Sequence, residues 1–360
     1  LDEKDFTSFT NNFLYSLFSQ CTLSLNGTTI IQATELYNYR SLLETLLTYG
    51  TDAANTHLRN AMWIMDGGNM VACDPSSDDA SNNKGFVTRW SLTKKSQEIE
   101  LYGRVHSDFC NVPVYLLPGV RIQIKFTKAR TGFYLMNKDA EPKTVFQFLD
   151  AQLWVKRVRP NPTIPLAHKA VLDKGGVARY NMTRVELKSF TFSSGSQSLS
   201  IDNAILGPVP KRILFTMLKN KDFLGSIDTN PYFFRHYDLS SFALCQRKTN
   251  PGGGLSLDTS HEKKTVMAYR TLFEGSCIHH SNSGLQITPD MYKNGYFMLF
   301  YDLTPDRSAS EGHTSHQDTG NVRIELTFAK ALPDAITCLI YLEYDGTVLI
   351  DDKRLVTTDY

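Results

Sequence analysis

Val120-Arg-Ile-Gln-Ile-Lys-Phe-Thr-Lys-Ala129 returns late in the chain as Val322-Arg-Ile-Glu-Leu-Thr-Phe-Ala-Lys-Ala331, identical at six of ten positions without a gap. Within each copy apolar and polar residues alternate, the period of a strand with one face buried. The same landmarks precede both copies. Tyr39-Arg40 opens an amphipathic stretch in LYNYRSLLETLLTY (36–49), and Tyr269-Arg270 opens one in MAYRTLFE (267–274). Between these lies a fainter pair, IELYGRVHSD (99–108) and FMLFYDLTPD (297–306). Alternation alone recurs by chance in any β protein, but three matches in one order point to a duplication. The offset is 230 at Tyr-Arg and near 200 for the other two, which places one longer excursion of the first half within residues 51–96.

Alternation predicts strands over Cys21–Ile31, Glu98–Val105, Val120–Phe126, Phe146–Val158, Arg184–Phe192, Arg212–Leu218, His236–Leu244, Tyr296–Leu303, Val322–Phe328 and Ile336–Glu343. Helical spacing predicts Phe6–Phe18, Tyr37–Tyr49, Asp52–Met62, Leu166–Asp173 and Lys264–Glu274. Strands dominate and do not alternate with helices, so the class is mainly β rather than a parallel doubly wound sheet. The Pro-rich run Pro160-Asn-Pro-Thr-Ile-Pro165 divides the chain into 1–165 and 166–360. In the second half three strands precede the Tyr-Arg block; in the first only Phe18–Ile31 does. The repeat therefore predicts a first sandwich lacking its opening strands and a native chain that begins upstream of Leu1.

Composition narrows the function. With 38 Lys plus Arg against 37 Asp plus Glu, the chain lacks the basic excess of most nucleic-acid binders. The 21 Phe and 17 Tyr suit strands packed face to face. Six cysteines at 21, 73, 110, 245, 277 and 338 include no C-x-x-C pair, which fits neither a disulfide scaffold nor a zinc site. Reduced, mostly buried thiols are expected, as in a protein folded inside a cell. No apolar run reaches membrane-span length.

Candidate chemical sites are weak. His279-His280 and His313-x-x-His316 with Asp318 offer metal donors, but surface histidines account for them. His261-Glu262 lacks the second histidine of a zincin helix. His106 and Cys110 offer a base and a nucleophile at a spacing that a strand end explains as well. Gly252-Gly253-Gly254 has no following Lys-Ser/Thr and reads as a flexible turn. Lys156-Arg157-Val158-Arg159 reads as a solvated basic strand edge. Asn26-Gly27-Thr28 and Asn181-Met182-Thr183 match glycosylation sequons; the first reads as a turn, the second as a loop leading into the second half. No catalytic, cofactor or metal residue is assigned, and no enzymatic activity is expected. A carbohydrate-binding or hydrolytic β-sandwich would need clustered exposed aromatics or paired carboxylates, and no such cluster is seen.

Longer strings are more specific: RVELKSFTF (184–192), LGPVPKRI (206–213), NPYFFRHYDLSSFAL (230–244), GLSLDTSHEK (254–263), NGYFMLFYDLTPD (294–306) and RIELTFAKALPDAITCLIYLEYD (323–345). With FLYSLFSQCTLSLNG (13–27) and YRSLLETLLTYG (39–50), they resemble the double jelly-roll major capsid proteins of Polinton (Maverick) elements and adintoviruses. The resemblance spans essentially the whole chain. It implies two antiparallel eight-stranded β-sandwiches in tandem, the first N-terminally incomplete, with short helices in the connections. It further implies homotrimers of pseudo-hexagonal outline that tile an icosahedral shell in a virion assembled inside the host cell, meeting neighbouring capsomers and a minor or penton protein. No sequence-specific nucleic-acid contact is implied. A minor or vertex coat protein would usually carry one jelly roll, which the repeat disfavours. One stretch departs: Cys245-Gln-Arg-Lys-Thr-Asn-Pro-Gly-Gly-Gly254 stands where the family continues the strand into an aromatic-Val-Asn-Gly turn. The alternation is lost there, as a local frameshift in a decaying genomic copy would produce.

Overall fold

The computed structural model describes residues 6–31, 36–71, 74, 82–138, 144–246, 254–258, 265–278, 281–311 and 318–359. Its strands are β1 (Ser8–Phe9), β2 (Phe18–Leu25), β3 (Thr28–Ile31), β4 (Ile122–Lys128), β5 (Leu135–Met136), β6 (Ala178–Phe192) and β7 (Ser198–Pro208). There follow β8 (Arg212–Lys219), β9 (Leu239–Gln246), β10 (Leu255–Ser256), β11 (Met298–Asp302), β12 (Thr319–Phe328), β13 (Ile336–Ile350) and β14 (Val356–Asp359). The helices are α1 (Phe13–Ser16), α2 (Tyr37–Thr48), α3 (Thr51–Asn55), α4 (Lys84–Thr93), α5 (Thr131–Tyr134), α6 (Thr163–Leu172), α7 (Asn220–Leu224), α8 (Val266–Ser276) and α9 (Pro289–Lys293).

The second half holds two antiparallel sheets. One runs β7–β12–β9–β10; the other runs β6–β13–β8–β11, with β14 on the far part of β13. Consecutive strands pass back and forth between the sheets, so each sheet pairs strands distant in sequence, the jelly-roll pattern. Apolar side chains of the facing surfaces meet in one core. Phe242 on β9 lies 5.2 Å from Phe215 on β8 and stacks at 5.8 Å on Tyr301 of β11. β13 is central: its residues from Ile336 to Leu342 are all buried, because strands flank it on both edges and its side chains pack in the main core.

The first half holds a smaller sheet, β3–β2–β4. Its parts repeat those of the second. The hairpin β2–β3 followed by α2 matches β9–β10 followed by α8, and β4 pairs β2 as β12 pairs β9. Ile122 sits opposite Leu25, and Ile324, its counterpart in the repeat, sits opposite Leu244. The hairpin turns at Asn26-Gly27, both at positive φ (48° and 87°), as a tight two-residue connection requires. β6 and β13 pair over fifteen residues each, and their far ends extend beyond the second sandwich. There Tyr180, Met182, Val348 and Ile350 bury Leu23, Leu25 and Ile30 in a second, smaller core.

Several predicted elements differ. Glu98–Val105 and Phe146–Val158 form no strand. Their counterparts β11 and β13 pair with β8, and β13 also with β6; no described strand of the first half stands in those places. Ladder bonds, not alternation, make a strand. The Phe6–Phe18 helix reduces to the four residues of α1, because Asn12 adopts a left-handed conformation (φ 56°) and Phe18 already belongs to β2. Asp52–Met62 breaks at Thr56 (φ −118°, ψ −108°) into α3 and a 3₁₀ turn, His57–Ala61. Asn181–Thr183 belongs to β6 rather than to a loop, and β9 keeps its pairing through Cys245 and Gln246, past the point where alternation fades. β7, α4 and β14 were not predicted. Of the five described cysteines only Cys21 and Cys338 are buried; Cys110 and Cys277 are exposed.

Candidate functional site

The densest group of ionisable side chains lies where the two halves meet. α2 presents Arg40 and Glu44 one turn apart, joined at 2.7 Å. Arg40 also grips Asp108 through both terminal nitrogens, at 2.6 and 3.2 Å. His106 Nδ1 closes on Glu44 at 2.6 Å, its backbone N–H donates to the Tyr37 hydroxyl, and its ring meets Tyr15 edge-on at 4.6 Å. Burial pushes the Glu44 carboxyl up, but Arg40 and His106 outweigh it and bring it down to about 2. At Asp108 burial wins over Arg40 and holds the carboxyl above its ordinary range. Arg40 is held above its usual value because Glu44 and Asp108 overcome the penalty of burial.

This arrangement spends its charges on itself. His106 is engaged by Glu44 rather than by Cys110, whose thiol is raised by desolvation, away from a reactive thiolate. The group lines an open cleft together with Tyr341 and Glu343 of β13, so it lies between α2 and the second half. The repeat contained one signal for it: Arg270 and Glu274 of α8 form the same pair one turn apart. Asp108 and His106 were not recognisable as partners, since only the fold carries 104–108 back to α2.

The other residues considered are scattered. Asp318 precedes β12, where its carbonyl accepts from the Val209 N–H at 2.8 Å. His261, Glu262, His279, His280, His313, His316, Gly252 and Gly253 lie outside the described residues. Among the described residues no three His, Cys, Asp or Glu side chains come together as metal donors, and no helix is long and apolar enough to cross a membrane. Asn26 serves its turn, its side chain accepting from the Arg121 N–H at 2.8 Å and donating to the Arg354 carbonyl at 2.9 Å. Lys156, Arg157 and Arg159 lie on exposed irregular chain rather than at a strand end.

That irregular chain carries the most unusual surface. Leu149, Trp154 and Val155 are 69, 79 and 60% exposed, whereas β13 is buried throughout Ile336–Leu342. β4 pairs on one edge only among the described strands, and Ile122 and Phe126 are exposed on it.

No model of a known protein family matches the chain. It is 21% identical over 352 residues to the uncharacterized Caenorhabditis elegans protein F54H12.2, covering 96% of this chain and 80% of that one. Among solved structures it is similar to PBCV-1 VP54 as fitted into a cryo-EM reconstruction of the virophage Sputnik. The TM-score is 0.55 at 12% identity, over 98% of this chain and 86% of that one. A quasi-atomic model of the PBCV-1 virus capsid gives a TM-score of 0.52 at 12% identity, over 98% and 85% of the two chains. The Sputnik virophage structure gives 0.55 at 11% identity, over 98% and 76%. With its jelly-roll sheets and internal repeat, the chain has the double jelly-roll fold found in these viral coat proteins.

Proposed function

We propose that this protein is a structural coat subunit of the major capsid type, whose chemistry is association rather than catalysis. The observation that carries the reading is the internal repeat in three dimensions: β2–β3, α2 and β4 reproduce β9–β10, α8 and β12 in one chain with the fold of viral shell proteins. On this reading residues 1–165 belong to one sandwich and 166–360 form the other. Two similar sandwiches let a homotrimer present six similar edges, and closed threefold symmetry limits growth within the tile. Such pseudo-hexagonal tiles would meet one another, and a minor protein at the vertices, in an icosahedral virion shell assembled inside the host cell. The strings that resemble Polinton and adintovirus coat proteins support an origin in a genome-integrated element of that kind. The near-balance of 38 basic and 37 acidic residues suits a shell that leaves nucleic-acid condensation to other proteins.

The test is mass measurement in solution followed by electron microscopy. Trimers with a six-cornered outline are expected; a stable monomer that binds or hydrolyses glycans would overturn the reading in favour of a carbohydrate-active sandwich.

A further inference from the structure

Between β8 and β9 the chain lays an arm, residues 223–234, against the first half. The Phe223 ring stacks on Tyr39 of α2 at 5.9 Å. The Asn137 N–H donates to the Ile227 carbonyl at 2.8 Å, the Tyr39 hydroxyl to the Pro231 carbonyl at 3.1 Å, and Asn230 Nδ2 to Asp66 at 2.8 Å. A Cβ on Gly132 would meet the Gly225 carbonyl oxygen at 2.8 Å, so the two backbones approach closely there. Left-handed backbone marks both ends of the arm. Gly225 has φ 81° near its start, and Tyr237 and Asp238 have φ 46° and 51° just beyond its end, a conformation that bulky residues avoid.

Asp222 and Arg235 close the neck of this arm, carboxylate to guanidinium, at 3.4 Å. The Asp222 side chain is fully buried. Its Oδ1 has no hydrogen-bond partner among the described residues, nor have Arg235 Nε and the Tyr237 hydroxyl. One long contact is poor compensation for a buried negative charge. The other groups facing Asp222 are Lys219 at the end of β8, Lys221 of α7, and the phenols of Tyr39 and Tyr237. Lys219 is engaged by Asp334 at 2.9 Å and Lys221 by Asp228 at 2.5 Å. Burial outweighs the three cations and pushes the carboxyl up to about 6. His236, beside the neck, works in the opposite sense: burial lowers it against the pull of Asp238, with Lys293 adding to the fall, so it favours the folded state as pH rises.

We propose that residues 223–234 form a proton-controlled arm, seated on the first half while Asp222 is protonated and shifted toward an open position when Asp222 ionises. Ionisation puts a charge at the neck that its contacts do not match, and turning the neck toward water relieves it. Rotation at Gly225 and at Tyr237-Asp238 then carries Phe223 off Tyr39. The halves stay joined meanwhile, because the ends of β6 and β13 hold Leu23 and Leu25 in the separate smaller core. The arm acts in this way whether or not the chain builds a shell.

The test is amide exchange in the 360-residue chain from about pH 4.5 to about pH 8, each rate divided by that of unstructured peptide at the same pH. Protection over 223–234 should fall by up to about a hundredfold, with its midpoint near 6. At every pH it should stay below the protection of β13, because the arm opens without global unfolding. Asp222→Asn should abolish the fall. Arg235→Met, which removes the opposing cation, should move the midpoint to higher pH and serves if the Asn variant does not fold. Protection that is constant or rises with pH overturns the proposal. So does opening of the arm and β13 together, a fall that survives Asp222→Asn, or a midpoint that Arg235→Met leaves in place or lowers.

Discussion

Arg89 and Asp66 form an ion pair at 2.5 Å in which neither side chain is exposed to solvent. Arg89 Nε also donates to the Phe9 carbonyl at 2.7 Å, and a terminal nitrogen donates to the Ile64 carbonyl. The second Asp66 oxygen accepts from Asn230 Nδ2 at 2.8 Å, and the Tyr296 hydroxyl donates to the Asp66 carbonyl at 3.1 Å. One guanidinium thereby ties the long excursion of the first half to the N-terminal segment, while its carboxylate ties it to the second half.

Because both charges are out of water, removing one strands the other. Arg89→Met should destabilise the protein by about 3–5 kcal/mol, whereas a double replacement with Asp66→Asn should cost less than the two single changes combined. Urea unfolding of the three variants measures this; a loss under about 1 kcal/mol for Arg89→Met would place the pair among solvent-screened ones.

Asp222 gives a pH signature of one sign. Burial pushes its carboxyl up from 3.8 to about 6, with Arg235 only partly opposing. The folded state then holds the proton more tightly than the unfolded one, so stability is lost as pH rises from about 4 through 6. Asp222→Asn should therefore gain on the native protein as pH rises, with the two converging below pH 4. Thermal melts at pH 4 and pH 8 compare them, and an Asn variant that loses ground towards pH 8 would refute the assignment.

Glu44 gives the opposite signature. Its folded carboxyl is depressed to about 2, so its contribution is present above about pH 4.5 and is lost only as pH falls through 2. Glu44→Gln should cost on the order of 2–3 kcal/mol at neutral pH, with the cost vanishing near pH 2. Denaturant titrations at both pH values read the difference.

Phe242 bridges the two sheets, between Phe215 and Tyr301, and is buried. Phe242→Ala should cost about 3–5 kcal/mol through lost transfer energy and the cavity left behind. Equilibrium unfolding should show a lowered midpoint with an unchanged slope.

Gly275 tests the packing of α8 on β11. A Cβ there would meet the Phe300 ring at 2.5 Å and its backbone carbon at 2.8 Å. Alanine would add up to about 1 kcal/mol of helix propensity. The clash should outweigh that gain, so Gly275→Ala should be destabilising by about 1–3 kcal/mol, checked by thermal unfolding.

Elements closed by near neighbours were legible before any coordinates. The turn at Asn26-Gly27 could be read, though the strand predicted over Cys21–Ile31 is split there into β2 and β3; α2 and α8 could be read from their spacing and the shared Tyr-Arg opening. β12 was legible because a half-buried strand must alternate, β4 because it repeats β12, and β13 from its run of apolar residues. β7 was missed, since Ser198–Pro208 mixes Asp202 and Asn203 into its exposed edge. Arg89 and Asp66 gave no sign of pairing: each is an ordinary charged residue in sequence, and burial is a property of what surrounds them.

The run 146–158 separates the two kinds of information most sharply. Sequence by itself determined that it has the character of a central strand, matching β13 in its apolar alternation and in the place of its aromatic residue. Whether it becomes one was decided by tertiary structure. A strand exists only where another backbone accepts and donates its hydrogen bonds, and β13 pairs with β6 and β8 while residues 146–158 pair with no strand among those described. The same apolar character therefore gives a buried core strand in one half and an exposed irregular run in the other.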